Sequence, residues 1–168
     1  MNAMIEPRSA DQNALTTLTR AMALIEGRDF DAAALLYFKV LDTDLTPALR
    51  GEILTNLGAA LCLSARGQPE EDALPRLEQA RTVLSKALPL RSRANAPDAW
   101  ATTRANLAVV HLARYETTNS KDDLLAAHLA LDDSEEVLHP TAESALRDWV
   151  RAIRDQLTGM RDRRSQQR

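Results

Sequence analysis

Cysteine is almost absent from this 168-residue sequence, because Cys62 is the only one. One cysteine cannot form an intramolecular disulfide or build a cysteine-based metal site, so the composition excludes both and favours a reducing compartment. Long apolar runs are also missing: no stretch approaches about 18 apolar residues, and residues 1–10 carry no apolar core of a signal peptide. We therefore predict a cytoplasmic protein with no membrane partner.

The net charge of the chain is small. The formal charge at pH 7 is −3, which argues against a nucleic-acid partner, since nucleic-acid binders present a strongly basic surface. Arginines cluster near the C-terminal end, where two interpretations stay open: docking on an acidic partner or RNA, or solubilising a frayed end. The acidic balance of the whole chain favours the second. The residues concerned are Arg161, Arg163, Arg164 and Arg168.

Aromatic residues make up only 4% of the chain and β-branched residues are sparse, whereas alanine and leucine are abundant. Alanine and leucine are strong helix formers, so the composition favours helix over strand. With 45% apolar residues, a chain of this length can bury enough surface for one domain with its own core. The composition thus predicts a single all-α domain.

Capping and breaking residues divide the chain into about seven predicted helices. Ser9 with Gln12 forms a capping box that opens the first helix, and Gly27 is expected to end that helix in a left-handed conformation. Proline at the first helical position opens two further helices, at Pro47 and Pro97. The other predicted boundaries are the caps Asp29, Ser120 with Asp123, and Thr141, and the ends at Gly67, Pro89 and His139–Pro140.

Residues 68–75, which contain two prolines, are predicted to form a loop or a frayed first helical turn, and residues 116–120 a second polar loop. Residues 1–8 are predicted to be disordered ahead of the first helix. Residues 159–168 have no apolar period and are predicted to form a basic disordered tail. The folded domain is therefore expected to span residues 9–158.

Two segments of the chain nearly repeat each other. Residues 55–61 read Thr-Asn-Leu-Gly-Ala-Ala-Leu, and residues 105–111 read Ala-Asn-Leu-Ala-Val-Val-His. Each is followed by a second helical pattern, whose anchor residues recur at intervals of 47 residues. Helix pairs that recur in this way indicate a stacked array, in which no unit buries its apolar face alone. The anchors are Phe30, Leu77 and Leu124; Ala33, Ala80 and Ala127; and Tyr37, Leu84 and Leu131.

This pattern resembles the tetratricopeptide repeat family. Residues 98–108, with Trp100 and Asn106, are similar to the Trp-Ala…Asn-Leu-Gly/Ala version that is common in bacterial arrays. In the family, a leucine precedes a small residue on the first helix of a repeat and an alanine recurs on the second. The matching residues here are Leu57-Gly58, Leu107-Ala108, Ala33, Ala80 and Ala127.

The resemblance implies an all-α fold, an α-solenoid of three antiparallel helix pairs followed by a C-terminal capping helix. The repeats would span residues 9–44, 46–91 and 96–139, and the capping helix would span residues 141–158. It also implies that the first helices of the repeats line a concave groove, which holds an extended peptide or a helix of a partner protein.

Asparagine at the groove face of peptide-binding members hydrogen-bonds the ligand backbone, and Asn56 and Asn106 match that position. A carboxamide both donates and accepts, so it can hold a peptide unit whatever its side chain. The alternative is that these asparagines bond to a neighbouring helix and hold the stack together. By the same helical phase, the other residues expected to face the groove are Leu18, Met22, Glu52, Thr55, Ala59, Thr102, Ala105 and Val109.

The sequence contains no arrangement of residues that is typical of a catalytic or metal-binding site. His111, His128 and His139 are too far apart for two of them to share a helix face, so no metal site is predicted. His111 falls on a core-facing phase and is interpreted as a satisfied interior histidine, and Cys62 as a small core residue. Neither a nucleophile elbow nor a glycine-rich phosphate loop is present. We therefore expect no enzyme activity and no cofactor.

The leading hypothesis is a non-enzymatic scaffold that binds a segment of another protein in the groove. Two narrower alternatives stay open. One is a small chaperone of a bacterial secretion system, with which size and charge agree. The other is a regulatory or structural subunit of an enzyme or defence complex. A poorly capped end repeat would also allow two chains to pair as a homodimer.

Overall fold

The computed structural model describes residues 8–138 and 142–165, with side chains described for residues 12–138 and 142–160. Within these ranges the chain forms seven α-helices, one short 3-10 helix and no strand, which confirms the predicted all-α class. The helices are α1 (Arg8–Glu26), α2 (Phe30–Leu41), α3 (Pro47–Ala65), α4 (Glu70–Ala87), α5 (Pro97–Thr118), α6 (Lys121–Val137) and α7 (Ser144–Ser165); the 3-10 turn is Leu88–Leu90.

Consecutive helices pack in pairs, α1 with α2, α3 with α4 and α5 with α6, and α7 packs against both α5 and α6. The odd-numbered helices also approach one another in the order α1, α3, α5, α7, whereas the even-numbered helices do not come into backbone contact. An ion pair between Arg76 and Asp31 instead bridges α4 and α2. Because the odd-numbered layer is the tighter one, the stack curves with this layer on its concave side.

The 47-residue interval places equivalent side chains in one continuous core. Ala33, Ala80 and Ala127 are each fully buried, and small side chains there allow adjacent helices to come close. The larger residues one turn later, Tyr37, Leu84 and Leu131, are buried as well and join the same hydrophobic cluster. The repeat in the sequence is therefore a repeat of packing positions.

Helix caps follow the prediction in part. Asp29 accepts a hydrogen bond from the backbone amide of Ala32 at 3.2 Å and caps α2 as predicted. Thr46 and Ser120 precede α3 and α6 but make no capping hydrogen bond through their side chains. Asp123, predicted to assist Ser120, instead turns toward α5. The side chain of Ser9 and the predicted boundary residues 139–141 lie outside the described residues.

Residues 68–75 are helical from Glu70 onward, which is nearer to the predicted first turn than to the predicted loop, and the loop predicted at residues 116–120 was too long. Helix α4 already begins at Glu70, so Pro75 lies inside it. Three acidic residues in its first turn interact favourably with the positive end of the helix dipole, and Ala73 is buried against the core. Both effects favour a helix that starts before Pro75. Helix α5 continues to Thr118 and ends at Asn119, whose left-handed φ of 57° is one that asparagine tolerates.

The two termini of the folded region also differ from the prediction. Helix α1 is already formed at Arg8, the first described residue, so Ser9 lies inside the helix and does not cap it as predicted; residues 1–7 of the predicted disordered start lie outside the described residues. Helix α7 continues to Ser165, so the predicted disorder from residue 159 onward is wrong for residues 159–165. Gly159 keeps a helical backbone, and Met160 after it packs against the core cluster, which favours continuation of the helix.

The end of α1 corrects the prediction for Gly27. The left-handed residue is Arg28, with φ of 63°, whereas the amide of Gly27 still donates to the Ala23 carbonyl as in a helix. The amide of Asp29 donates to the Leu24 carbonyl at 2.8 Å, which is the closing bond of a Schellman motif. A residue with a side chain therefore occupies the position that glycine normally takes.

Replacing Arg28 by glycine should stabilise the protein by about 0.5–1 kcal/mol. Removing the side chain relieves a left-handed strain of about 1–2 kcal/mol, and the greater freedom of glycine in the unfolded chain returns part of that gain. Chemical denaturation measures the difference. Arg28→Ala is the control, because it loses the same contact with the Phe30 ring but keeps the strain. Equal stability of the glycine and alanine variants would contradict the assignment.

Within the described ranges, no helix combines the length and the apolar character needed to cross a membrane.

Candidate functional site

A cleft of about 440 Å³ opens between α1, α2 and α3 on the concave side; we call it the α1–α3 cleft. The α3 residues that line it follow one face of the helix, with steps of four, three and four residues. At 1.5 Å per residue this face extends over ~16 Å, which matches about five residues of an extended chain. The cleft is lined by Met22, Ile25, Glu26, Tyr37, Glu52, Asn56, Ala59 and Leu63.

A second cleft of about 350 Å³ lies between α3, α5 and α7; we call it the α3–α7 cleft. It shares Ala59 and Leu63 with the first, so the two form one groove that crosses α3 over a small residue. The capping helix α7 supplies one wall, including an indole ring. The lining residues are Ala59, Cys62, Leu63, Arg66, Asn106, Val109, Trp149, Ala152, Ile153 and Gln156.

The larger opening at the turn between α3 and α4, of about 490 Å³, is a different kind of site. Most of its lining is polar or belongs to the turn itself, including Arg66, Gln68, Glu70 and Glu116. Because it lacks a continuous apolar floor, we regard the groove formed by the two clefts as the candidate functional site.

Asn56 and Asn106 both line this groove, one in each cleft. The carboxamide of Asn56 makes no hydrogen bond with any described residue. Asn106 donates through Nδ2 to the carbonyl of Thr102 in its own helix at 3.0 Å, and its amide oxygen has no partner among the described residues. Neither side chain ties two helices together, so both keep hydrogen-bonding capacity for a ligand.

Four further predicted residues line the groove: Met22, Glu52, Ala59 and Val109. Met22 is 56% exposed, and several leucines on other helix faces are similarly exposed. Thr102 is half-buried, its hydroxyl donates to the carbonyl of Asp98 at 2.7 Å, and it lines neither cleft.

Leu18, Thr55 and Ala105 were wrongly expected to face the groove, because all three are buried. Leu18 and Ala105 belong to the core between neighbouring helices. The hydroxyl of Thr55 lies 2.9 Å from the hydroxyl of Thr103, a buried bond between α3 and α5. The odd-numbered helices therefore pack through a wider face than the helical phase alone indicated, and the open floor is correspondingly narrower.

Tyr37 and Trp149 are groove residues that the sequence pattern did not indicate. Tyr37 was assigned to the core stripe of α2, and only 2% of its surface is exposed. Trp149 lies on α7, which was expected only to cap the stack. The signal for Trp149 was its place beside the apolar stripe of an amphipathic helix, but periodicity cannot show which neighbour that helix faces.

Charge is unevenly distributed along the groove. Glu26 and Glu52 line the α1–α3 cleft, whereas Arg66 and the neutral Gln156 line the α3–α7 cleft. Burial raises the pKa of the Cys62 thiol to about 11, against a smaller lowering effect of Arg66. A thiol with that pKa stays protonated near neutral pH and is a poor nucleophile.

His111 belongs to a polar network away from the groove, as its core-facing phase predicted. Its Nδ1 lies 3.0 Å from Asp123 Oδ1, which also accepts from Arg114 Nε at 2.9 Å. Burial alone would raise the pKa of the Asp123 carboxyl, but the hydrogen bonds from His111 and Arg114 hold it below its usual value. Arg114 also pairs with Glu78, so the network joins α4, α5 and α6.

Among the described residues, no group of three or more histidine, cysteine, aspartate or glutamate side chains is arranged to hold a metal ion. Comparison with known proteins finds no family model that matches the chain and no significantly similar curated protein or solved structure.

Proposed function

We propose that this protein is a non-enzymatic interaction module whose groove binds a segment of a partner protein. The observation that carries the proposal is the continuous groove on the concave side, whose lining is more apolar than polar, where Met22 is exposed and Asn56 has no hydrogen-bond partner among the described residues. Exposed apolar surface of this kind is stabilised when a partner covers it. A carboxamide at its centre can bond the backbone of that partner in either hydrogen-bonding direction.

We further propose that the chain is a divergent tetratricopeptide-like array. The support is the buried 47-residue register, together with the pairing of consecutive helices. In such an array the concave layer collects one helix from every repeat, so a ligand is contacted by three or four helices at once. Here that layer contributes residues from α1, α3, α5 and α7 to a single groove.

Site-specific photo-crosslinking tests the groove as the binding surface. A photoreactive phenylalanine analogue replaces Met22 in one variant and Val109 in another, and each is irradiated in an extract of the native cells. Both positions should crosslink to the same short, continuous segment of one protein, because they lie in the two connected clefts. The matched control is Leu35, which is 70% exposed on α2 in the outer layer. Equal capture at Leu35, or unrelated partners at Met22 and Val109, would refute the proposal.

A further inference from the structure

The α1–α3 cleft carries two carboxylates and no basic side chain among its described lining residues. Glu26 and Glu52 are its only charged residues, and neither forms an ion pair among the described residues. Burial lowers the pKa of Arg91 and the negative charge of nearby Glu52 raises it; both residues line a further cleft beside Leu90, where Arg91 offsets part of the charge of Glu52. Glu26 is the last residue of α1, where the carbonyl end of the helix dipole adds further negative potential.

Tyr37 adds a solvent-accessible hydroxyl to the same cleft. Its side chain is almost wholly buried, yet its hydroxyl makes no hydrogen bond with any described residue. A buried tyrosine hydroxyl normally finds a partner. This hydroxyl is not sealed from solvent, and Tyr37 lines the α1–α3 cleft. Burial raises the pKa of Tyr37, and the negative charge of Glu52 raises it further, so the phenol stays neutral and Glu52 lies close to it.

The apolar residues of the cleft define what can lie between the two carboxylates. Met22, Ile25 and Leu63 form the apolar wall of the cleft. Helices α1 and α3 run in the same direction, because each is antiparallel to α2. Glu26 therefore marks one end of the cleft and Glu52 the other. A long cationic side chain matches this surface, because its methylene stem covers apolar groups while its charged head reaches a carboxylate.

We propose that the α1–α3 cleft recognises a lysine or arginine side chain, next to apolar residues, in the segment that the groove binds. Glu26 and Glu52 each offer a carboxylate to the cationic head, one at either end of the cleft, and the hydroxyl of Tyr37 and the carboxamide of Asn56 accept from or donate to polar groups of the bound segment. This inference rests on the proposed function. It adds the chemical class of the ligand: a basic and apolar segment.

Selection from a displayed library of random 12-residue peptides tests the specificity with the intact chain. Peptides that bind should be enriched in lysine or arginine flanked by apolar residues. In a synthetic peptide made from the selected sequence, replacing lysine by norleucine or arginine by citrulline should weaken binding. A partly exposed ion pair contributes about two- to fivefold in affinity, so the double variant Glu26→Gln/Glu52→Gln should bind a peptide with one basic residue up to about fivefold more weakly.

The matched control is Asp44→Asn/Asp122→Asn, which removes two exposed carboxylates that line neither cleft. It should keep the affinity within about twofold at the same ionic strength. Peptides that bind in the groove without a basic preference, or whose affinity ignores Glu26 and Glu52, overturn the basic-segment inference and leave the proposed function standing. If no selected peptide loses affinity when a bulky residue replaces Ala59, both the basic-segment inference and the proposed function are overturned.

Discussion

Replacing Leu157 by alanine is expected to lower the free energy of unfolding by about 2–5 kcal/mol, the usual cost of a cavity left by a fully buried leucine. Leu157 is fully buried, and with Val150 and Ile153 it forms the stripe by which α7 packs on α5 and α6. For a domain of this size, each kcal/mol corresponds to roughly 2–4 °C in Tm. Thermal and denaturant unfolding both measure the change.

The Leu157 variant also tests whether α7 belongs to the folded unit. Asp155→Ala is its control, because Asp155 is exposed on the same helix and should change stability by less than about 0.5 kcal/mol. Native-state hydrogen exchange should show faster exchange of the α7 amides in the leucine variant, since the helix loses its anchor. If Leu157→Ala were as stable as the parent protein, α7 would not be packed as described, and Trp149 could not form a wall of the groove.

Replacing Gly58 by alanine is expected to destabilise the protein by about 1–3 kcal/mol, although alanine is the better helix former by about 1 kcal/mol. A Cβ atom at Gly58 would lie 2.4 Å from Cγ of Leu84, which is fully buried in α4 and cannot rotate away without disturbing other core residues. The helices α3 and α4 would therefore have to separate. Chemical denaturation measures the loss.

Gly159→Ala is the matched control for Gly58→Ala. Gly159 is also helical, but a Cβ there meets nothing within 4 Å, so alanine should stabilise by up to about 1 kcal/mol. A double variant, Gly58→Ala/Leu84→Ala, should be less destabilised than the sum of its single changes, because the new methyl group occupies space that the shortened side chain vacates. Additive losses, or a stabilising Gly58→Ala change, would show that the two helices are not in close contact there.

The outcome of the site prediction shows where helical phase stops being informative. Met22, Glu52, Asn56 and Val109, which the phase of the first helices indicated, line the two clefts. Thr55 lies next to Asn56 in sequence but is buried against Thr103. A rotation of about 100° per residue separates these neighbours, and whether a side chain at that angle is open depends on how near the next helix stands.

The sequence by itself determined the elements and their register. Proline, aspartate and glycine at helix ends act over one or two turns, and the 47-residue interval of small and large residues reflects packing that each repeat must satisfy. Tertiary structure decided which polar groups remain unpaired and where the groove is open. The spacing of α3 and α5 depends on contacts such as Thr55 with Thr103, between residues far apart in the chain. Tyr37 and Trp149 line the groove because the spacing of the helices leaves open space on both sides of Ala59.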